Sequence, residues 1–220
     1  IAIEYNLPIS QIAAVVAFYS FFHTETCGRY HILFSNCTSC GYLTDGHNLM
    51  QMLCDQLQVI PGRTRQDGLI SIMETSCIGM CDQGPSVLIN DVPFAHLNPE
   101  RINHFARQII SEVPVTDWPK TWFEISDAIY RRDLLLTEPL VPGSAQQIAF
   151  AQGAESTLNK IAQSGLRGRG GAGFDTAHKW QSCRTALGDT RYIVCNADEG
   201  EPGTFKDRLL LQRYADAMFE

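Results

Sequence analysis

The chain has 220 residues, an apolar content of 45% and a formal net charge of −7. This length is enough for one or two domains with packed cores. The acidic balance excludes nucleic acid or an anionic membrane surface as a main partner, and the longest apolar run, residues 12–22, is too short to cross a bilayer. Eight cysteines without an export signal favour metal ligands or reduced thiols, which predicts a cytoplasmic protein.

The first 112 residues alternate helical and strand patterns, which predicts an α/β domain preceded by a helical segment. The pair Asn90-Asp91 lies between two short apolar runs and predicts a β-hairpin. The predicted elements are, in order, a helical segment over residues 1–24 with Ser10 as a candidate N-cap, strand 29–35, helix 49–57, strand 69–75, a hairpin over 86–96 and helix 99–112.

A proline-rich stretch separates this domain from a second one. Four of the ten prolines lie in residues 113–145, which indicates an interdomain linker, with one short helix over 122–132. The second domain is predicted to contain helix 154–164, a glycine-rich loop, a further helix, strand 191–196 and a helix from residue 205. The predicted segments are therefore 1–28 (helical), 29–112, the linker 113–145, and 146–220, and we expect the chain to be part of a longer protein.

Residues 165–174 hold five glycines, among which the pattern G-x-G-x-x-G occurs. The preceding segment has helical rather than strand spacing, so the ordinary dinucleotide-binding fingerprint is rejected. Glycines still allow backbone N–H groups to approach a phosphate, and Arg167, Arg169 and Lys179 add positive charge. A flexible surface loop is the alternative, but the density of glycines and cations favours a phosphate cradle.

The apolar run 192–195 predicts a buried strand, and Asn196, Asp198, Glu199 and Glu201 follow it. In open α/β sheets, ligands bind beyond the carboxyl ends of strands. Amide and carboxylate groups there can bond the polar edge of a flavin or the hydroxyls of a ribose. A solvated acidic turn is the alternative, and the glycine loop upstream favours the ligand site.

Two pairs of cysteines follow the two predicted strands of the first domain. Cys37 and Cys40 come after strand 29–35, and Cys77 and Cys81 come after strand 69–75. Four thiolates in two pairs suit either a zinc site or a [2Fe–2S] cluster, although the 36 residues between the pairs exceed the usual gap of a zinc ribbon. Ordinary thiols account for the other four cysteines, which are Cys27, Cys54, Cys183 and Cys195.

Two motifs together resemble the NADH-binding flavoprotein subunit of respiratory complex I. They are GRGGAGF at 168–174 and NADEGEPGTFKDR at 196–208. The resemblance implies hydride transfer from NADH to FMN without a side chain acting as acid or base. It also implies that Phe174 stacks on the nicotinamide or adenine, that Glu199 lies near the flavin ring and that Glu201 contacts NADH. The implied cofactor-binding residues are Gly168, Arg169, Gly170, Gly171, Gly173, Phe174, Lys179, Asn196, Asp198, Glu199 and Glu201.

Residues 1–112 resemble the thioredoxin-like [2Fe–2S] subunit that accompanies this flavoprotein. The matching pieces are FYSF at 18–21, C-x-x-x-C at 77–81 and the Gly-Pro pair at 84–85. The two resemblances imply an α/β fold class. They predict a thioredoxin-like ferredoxin domain with N-terminal helices, followed by the start of an α/β FMN-binding domain.

One departure concerns the first cysteine pair. In that family four residues separate the pair, which places the missing partner of Cys40 at Ser35, whereas Cys37 stands only three positions before Cys40. Two outcomes are open, a cluster that uses Cys37 through a reshaped loop and a cluster that is lost or altered, and we expect the cluster to be present. The predicted metal ligands are Cys37, Cys40, Cys77 and Cys81.

Both modules in one chain resemble the diaphorase flavoprotein subunit of NAD-reducing hydrogenases, with the fused subunit of NAD-dependent formate dehydrogenases as the runner-up. The resemblance implies FMN, NAD and a [2Fe–2S] cluster as cofactors, and a [4Fe–4S] cluster in the region beyond residue 220. It implies a ferredoxin-like electron-transfer subunit and hydrogenase subunits as partners. A non-catalytic iron–sulfur or zinc docking module is the alternative of another class, and the glycine loop argues against it.

Overall fold

The structure, a computed structural model, describes residues 1–19, 21–127, 129–130 and 141–220. The chain divides into two compact units, the first comprising Ile1–Ala128 and Glu199–Arg208 and the second Ile129–Asp198 and Leu209–Glu220. Within the described residues, no helix has the length and apolar character needed to cross a membrane. Residues 128 and 131–140 of the predicted linker lie outside the described residues. In the described part of the predicted helix 122–132, residues 122–123 belong to a short 3₁₀ turn and residues 124–127 and 129–130 are not helical, so this prediction is wrong there.

The first unit contains a five-stranded sheet with the strand order β2-β3-β1-β4-β5. The strands are β1 Tyr30–Ser35, β2 Arg63–Thr64, β3 Ile70–Thr75, β4 Val87–Ile89 and β5 Val92–Phe94. Strands β1 and β3 run parallel, because helix α2 (Gly46–Leu57) carries the chain back between them, and the other pairs are antiparallel. The predicted strands and hairpin are confirmed, and Asn90 and Asp91 take the positive φ angles of 49° and 64° that a tight hairpin turn requires.

Helices α2 and α3 (Pro99–Ile110) pack against each other and against the sheet to form the core. Asn98 caps α3 by accepting the N–H of Arg101 at 2.8 Å, and proline follows at the first helical position. Both helices place apolar residues at helical spacing toward the core, namely Leu49, Leu53 and Leu57 in α2 and Ile102, Phe105 and Ile109 in α3.

The first residues of the predicted linker pack on this core through two short 3₁₀ turns, Val115–Asp117 and Lys120–Phe123. The Trp118 ring is 2% exposed and stacks on Phe105 with ring centroids 5.2 Å apart. Its Nε1–H donates to the carbonyl of Val113 at 3.0 Å. The boundary predicted between residues 112 and 113 stays a prediction.

The N-terminal helix is shorter than predicted. Among the described residues of this range, which are 1–19 and 21–24, only Ile9–Phe18 (α1) are helical, and residues 2–6 form turns. Pro8 stands immediately before the helix and Asn6 has a positive φ of 50°. Because proline lacks an N–H and clashes with a preceding helical turn, the helix begins after it. No residue of α1 is buried.

The second unit is built from helices in its described part. They are α4 Ser144–Gln152, α5 Ala154–Ser164, α6 Thr176–Thr185 and α8 Ala215–Phe219, while α7 Lys206–Arg213 begins in the last residues of the first unit. Helix α5 has its predicted bounds and ends at Gly165, whose φ is 66°. Helix α4 was not predicted.

The predicted strand 191–196 is wrong. No strand includes these residues, and Tyr192, Ile193 and Val194 are exposed at 83%, 101% and 85%. A strand is stabilised by a hydrogen-bonded neighbour. In the described part of the second unit, the chain offers none beyond an isolated bridge between Arg167 and Asp175.

Candidate metal centre and nucleotide loop

The two cysteine pairs lie at one edge of the sheet. Strands β1 and β3 are parallel neighbours and end in register, so the loops that follow them leave from the same edge. The Sγ atoms of Cys37, Cys77 and Cys81 lie within 4.8 Å of one another. The Cys77 and Cys81 sulfurs are 3.1 Å apart, with Gly79 between them at a φ of 76°. The three thiols are therefore close enough together to be ligands of one metal centre.

Cys40, the fourth predicted ligand, lies beside this group but outside it. It is part of a π-helical turn, Thr38–Tyr42, directly after Cys37. The residue Cys40 is 1% exposed, and its Sγ lies 3.4 Å from the Ser86 hydroxyl. The hydroxyl of Ser35, the residue at which the resemblance implies the missing cysteine, donates to the Cys37 Sγ at 3.5 Å. The short spacing between Cys37 and Cys40 thus coincides with a turn that is wider than an α-helical turn.

The surroundings give these thiols different acidities. Burial would raise the pKa of Cys37, but hydrogen bonds from the Cys40 backbone N–H and the Ser35 hydroxyl outweigh it and lower the pKa. Burial raises the pKa of Cys40. Burial and then the hydrogen bond with Cys77 raise the pKa of Cys81 to about 12. A metal centre bound here must displace protons and supply the positive charge that stabilises the thiolates.

The acidic segment 199–208 contacts the cysteine loop, which was not predicted. The N–H of Gly203 donates to the Cys81 Sγ at 3.2 Å. The Arg208 guanidinium forms an ion pair with Asp82 at 2.6 Å and donates from Nε to the Gly79 carbonyl at 2.9 Å. Asp82 and Arg208 are 126 positions apart, so no local pattern could have revealed the pair. Backbone N–H groups that donate to the sulfurs of an iron–sulfur cluster influence the reduction potential of the cluster.

The glycine loop leads into α6 in the second unit. The N–H of Gly168 donates to the Phe174 carbonyl at 2.8 Å, and Arg167 donates to the Gly173 carbonyl at 3.1 Å. Gly171 and Gly173 have φ angles of 102° and 60°. A Cβ at Gly170, Gly171 or Gly173 would meet no atom within 4 Å, so the loop borders open space that a phosphate could enter.

The N-terminus of α6 is already capped. The Asp175 carboxylate accepts the N–H of His178 at 2.8 Å. A carboxylate at that helix end opposes a second anion, so a phosphate would depend on the loop N–H groups and on the cations. Arg169 and Lys179 are exposed there, and the Phe174 ring is 53% exposed.

The acidic site residues divide between the units. Asn196 and Asp198 belong to the second unit, and the Asn196 side chain accepts the Asp198 N–H at 3.0 Å. Glu199 and Glu201 belong to the first unit. The Glu199 carboxylate accepts the Asp207 N–H at 3.0 Å and thereby caps α7.

Comparison with known proteins bears on both modules. Residues 1–110 match the family described as thioredoxin-like [2Fe–2S] ferredoxin, and residues 161–220 match the Nuo51 FMN-binding domain. The chain is 33% identical over 221 aligned residues to the alpha subunit of the NAD-reducing hydrogenase HoxS of Cupriavidus necator, covering 94% of this chain and 36% of that protein. A component of the NADH-quinone oxidoreductase of Rhizobium meliloti is 53% identical over 66 residues, covering 30% of this chain and 16% of that protein.

A solved structure shows the same architecture. A chain of an air-oxidised NAD⁺-reducing [NiFe]-hydrogenase superposes with a TM-score of 0.86 at 38% identity, covering 97% of this chain and 38% of that one. The chain therefore spans little more than a third of the length of these hydrogenase relatives. The matches confirm the predicted resemblances, the α/β fold class, and the pairing of a [2Fe–2S] domain with an FMN-binding domain.

Proposed function

The chain belongs to the thioredoxin-like [2Fe–2S] ferredoxin family, and from that premise we propose that it forms the NADH-oxidising diaphorase module of an NAD-reducing hydrogenase. In this module electrons pass from NADH through FMN to iron–sulfur clusters. The observation that carries the proposal is the contact between Gly203 and Cys81. It joins the segment that resembles a flavoprotein motif to the loop that carries two cluster cysteines.

The donor set fits a [2Fe–2S] cluster. Thiolates are the ligands that such clusters require, and three thiol sulfurs already lie within 4.8 Å of one another. We propose Cys37, Cys40, Cys77 and Cys81 as the ligands, with Cys40 turning from Ser86 toward the group. The Gly203 N–H would then donate to a thiolate, which stabilises its negative charge.

The glycine loop fits the phosphate of FMN, which when bound supplies the conversion between two-electron and one-electron transfer. The N–H groups of residues 168–173 would bind the phosphate, with charge from Arg169 and Lys179. Asn196 and Asp198 would bond the ribityl chain or the polar edge of the ring. Glu199, held by the N-terminus of α7, would lie near the ring.

Phe174 and Glu201 are proposed to bind the dinucleotide. The exposed ring of Phe174 offers a face for stacking on the nicotinamide or adenine, and the Glu201 carboxylate would accept hydroxyl groups of NADH. No side chain transfers a proton in this scheme, so the contribution of the chain is orientation and electrostatics.

A hydrogenase is favoured over complex I by how the matches are distributed. The hydrogenase alpha subunit aligns across both modules, whereas the quinone oxidoreductase component aligns over 30% of this chain. These relatives are subunits of larger enzymes, so we propose a ferredoxin-like electron-transfer subunit and hydrogenase subunits as partners. We also propose a cytoplasmic location and a [4Fe–4S] cluster beyond residue 220.

The test is an anaerobic NADH titration of the full-length protein, followed by an iron count and low-temperature EPR. We expect NADH to bleach the flavin and to produce a [2Fe–2S] signal. That signal and two iron atoms should be lost in Cys77→Ser/Cys81→Ser and kept in Cys183→Ser, which removes an exposed thiol of the second unit. Bleaching without that signal would reject the cluster, and the absence of bleaching would reject the diaphorase.

Replacing Gly170 and Gly171 by valine tests the flavin loop separately. The added side chains would fill the open space beside the loop, and we expect the bound flavin to be lost while the iron count stays unchanged. Flavin bound at full occupancy in this variant would show that the phosphate lies elsewhere.

A further inference from the structure

A second group of metal-ligating side chains lies away from the four cluster cysteines. His23 and Cys27 are in the connection between α1 and β1, and His31 is the second residue of β1. One nitrogen of each imidazole and the Cys27 Sγ lie within 4.8 Å of one another. All three side chains are half-buried. None of them has a role in the proposed diaphorase reaction.

One ring nitrogen of His31 forms a hydrogen bond, and the other forms none with the described residues. Its Nδ1 lies 2.9 Å from the Ser71 hydroxyl, which also accepts the Gly28 N–H at 3.1 Å. Its Nε2 is buried and has no hydrogen-bond partner in the part of the chain that the structure describes. Leaving a buried polar atom unpaired is unfavourable, so such an atom calls for a ligand. In the tautomer whose Nδ1–H donates to Ser71, Nε2 carries a lone pair.

The connection that carries His23 and Cys27 is held against the sheet. The Thr64 hydroxyl donates to the Thr26 carbonyl at 3.0 Å. Gly28 lies so close to β3 that a Cβ there would be 2.6 Å from the Ile70 Cα. The His23 and His31 rings meet edge to face with centroids 4.6 Å apart. The three donors are therefore fixed by neighbouring contacts rather than gathered by chance in a free loop.

We propose that His23, Cys27 and His31 bind one zinc ion, which fastens the α1–β1 connection to the sheet. Two imidazoles and one thiolate are ligands that Zn²⁺ prefers, and water completes a tetrahedral site. The Ser71 hydroxyl orients His31 by accepting its Nδ1–H, as the outer hydrogen bond of a metal-bound histidine usually does. Binding breaks the S–H bond of Cys27, forms the Zn–S bond and releases one proton to water.

The surroundings favour the metal-binding form of His31 but not that of Cys27. Burial and then the neighbouring His23 lower the pKa of His31, so its imidazole is neutral near pH 7. Burial raises the pKa of the Cys27 thiol, and the charge of a bound zinc ion would compensate the thiolate.

The test uses the full-length protein with its iron–sulfur cluster in place, so that the cluster thiols are occupied. One equivalent of Zn²⁺ beyond the iron content is expected by elemental analysis. Replacement by Co²⁺ should give a thiolate-to-cobalt charge-transfer band and the intense visible bands of tetrahedral cobalt. Both should disappear in Cys27→Ser and His23→Ala. The matched controls Cys183→Ser and His47→Ala remove an exposed thiol and an exposed imidazole elsewhere, and they should keep both bands.

Ser71→Ala removes the outer hydrogen bond and should weaken Zn²⁺ affinity roughly 10- to 100-fold. Added Zn²⁺ should raise the melting temperature of the parent but not of Cys27→Ser, and the cluster absorbance shows that each variant is folded. Stoichiometric zinc retained in Cys27→Ser and His23→Ala, or no zinc in the parent, would overturn the assignment. Neither result would affect the NADH titration, so the two proposals fail separately.

Discussion

Replacing Arg208 by methionine should destabilise the first unit and loosen the cysteine loop. The guanidinium bonds Asp82 and the Gly79 carbonyl, and the two charged side chains are only 15% and 5% exposed. Removing one partner of a fully buried ion pair costs about 3–5 kcal/mol. Here the Asp82 carboxylate keeps the hydrogen bond from Gln83 Nε2 at 3.1 Å. We therefore expect a loss of about 2–3 kcal/mol in the free energy of unfolding.

The assay is urea unfolding followed by tryptophan fluorescence. Trp118 and Trp122 pack in the core of the first unit, and a Trp180→Phe background removes the signal of the second unit. Lys206→Met is the matched control, because it removes a cation of α7 that is 69% exposed. Its ammonium group stays in water while it pairs with Asp207 and Glu199, so Lys206→Met should leave the urea midpoint close to that of the parent.

A double-mutant cycle separates the ion pair from general packing. Asp82→Asn combined with Arg208→Met should cost at least about 1 kcal/mol less than the sum of the single changes, since neither charge is then left buried alone. The reasoning is refuted if the free energy of unfolding of Arg208→Met lies within about 0.5 kcal/mol of the parent value. It is also refuted if the destabilisation of the double variant equals the sum of the two single effects. We also expect Arg208→Met to lose iron faster on incubation with a chelator.

Three further changes test the fold. Gly28→Ala should cost about 1–3 kcal/mol in a urea titration, because its Cβ meets the Ile70 backbone, whereas Gly170→Ala meets nothing and should stay within about 0.5 kcal/mol. Burial raises the pKa of Cys54 from 9.0 to about 11, so the unfolded chain loses this proton first and stability should fall by roughly 1 kcal/mol per pH unit between these values. Cys54→Ala should remove that part of the alkaline slope, and an unchanged slope would contradict the assignment. Asn98→Ala removes a helix cap and should cost about 1 kcal/mol by thermal melting, with no change disproving the cap's role.

Local patterns predicted the first unit well. The turn at Asn90-Asp91 and the strands over 29–35 and 69–75 depend on residue types and periodicity that act over a few positions. Local patterns also placed each cysteine pair directly after a strand, but that the two strands are parallel neighbours ending at one sheet edge is seen only in the structure. The extent of the first helix was overestimated, because it begins only after Pro8 and ends at Phe18.

Non-local features could not be predicted in the same way. The exposed run at 192–194 has the composition of a strand, but composition does not supply a neighbouring strand. The contact from Gly203 to Cys81 spans 122 positions and depends on how the chain folds back. The grouping of His23 with His31 could have been suspected from the spacing H-x₃-C-x₃-H, but only the packing of a loop on the sheet brings the donors together.

The discontinuity of the first unit sets an order of events during synthesis. Its last segment, Glu199–Arg208, reaches the cysteine loop only after the whole intervening stretch has been made. At about 5–20 residues per second, the ribosome needs roughly 6–25 s to add the 126 positions between Asp82 and Arg208. Throughout that interval the cysteine loop lacks the contacts of this segment. A cluster-delivery factor acting on the nascent chain would meet the thiols before Gly203 and Arg208 cover them.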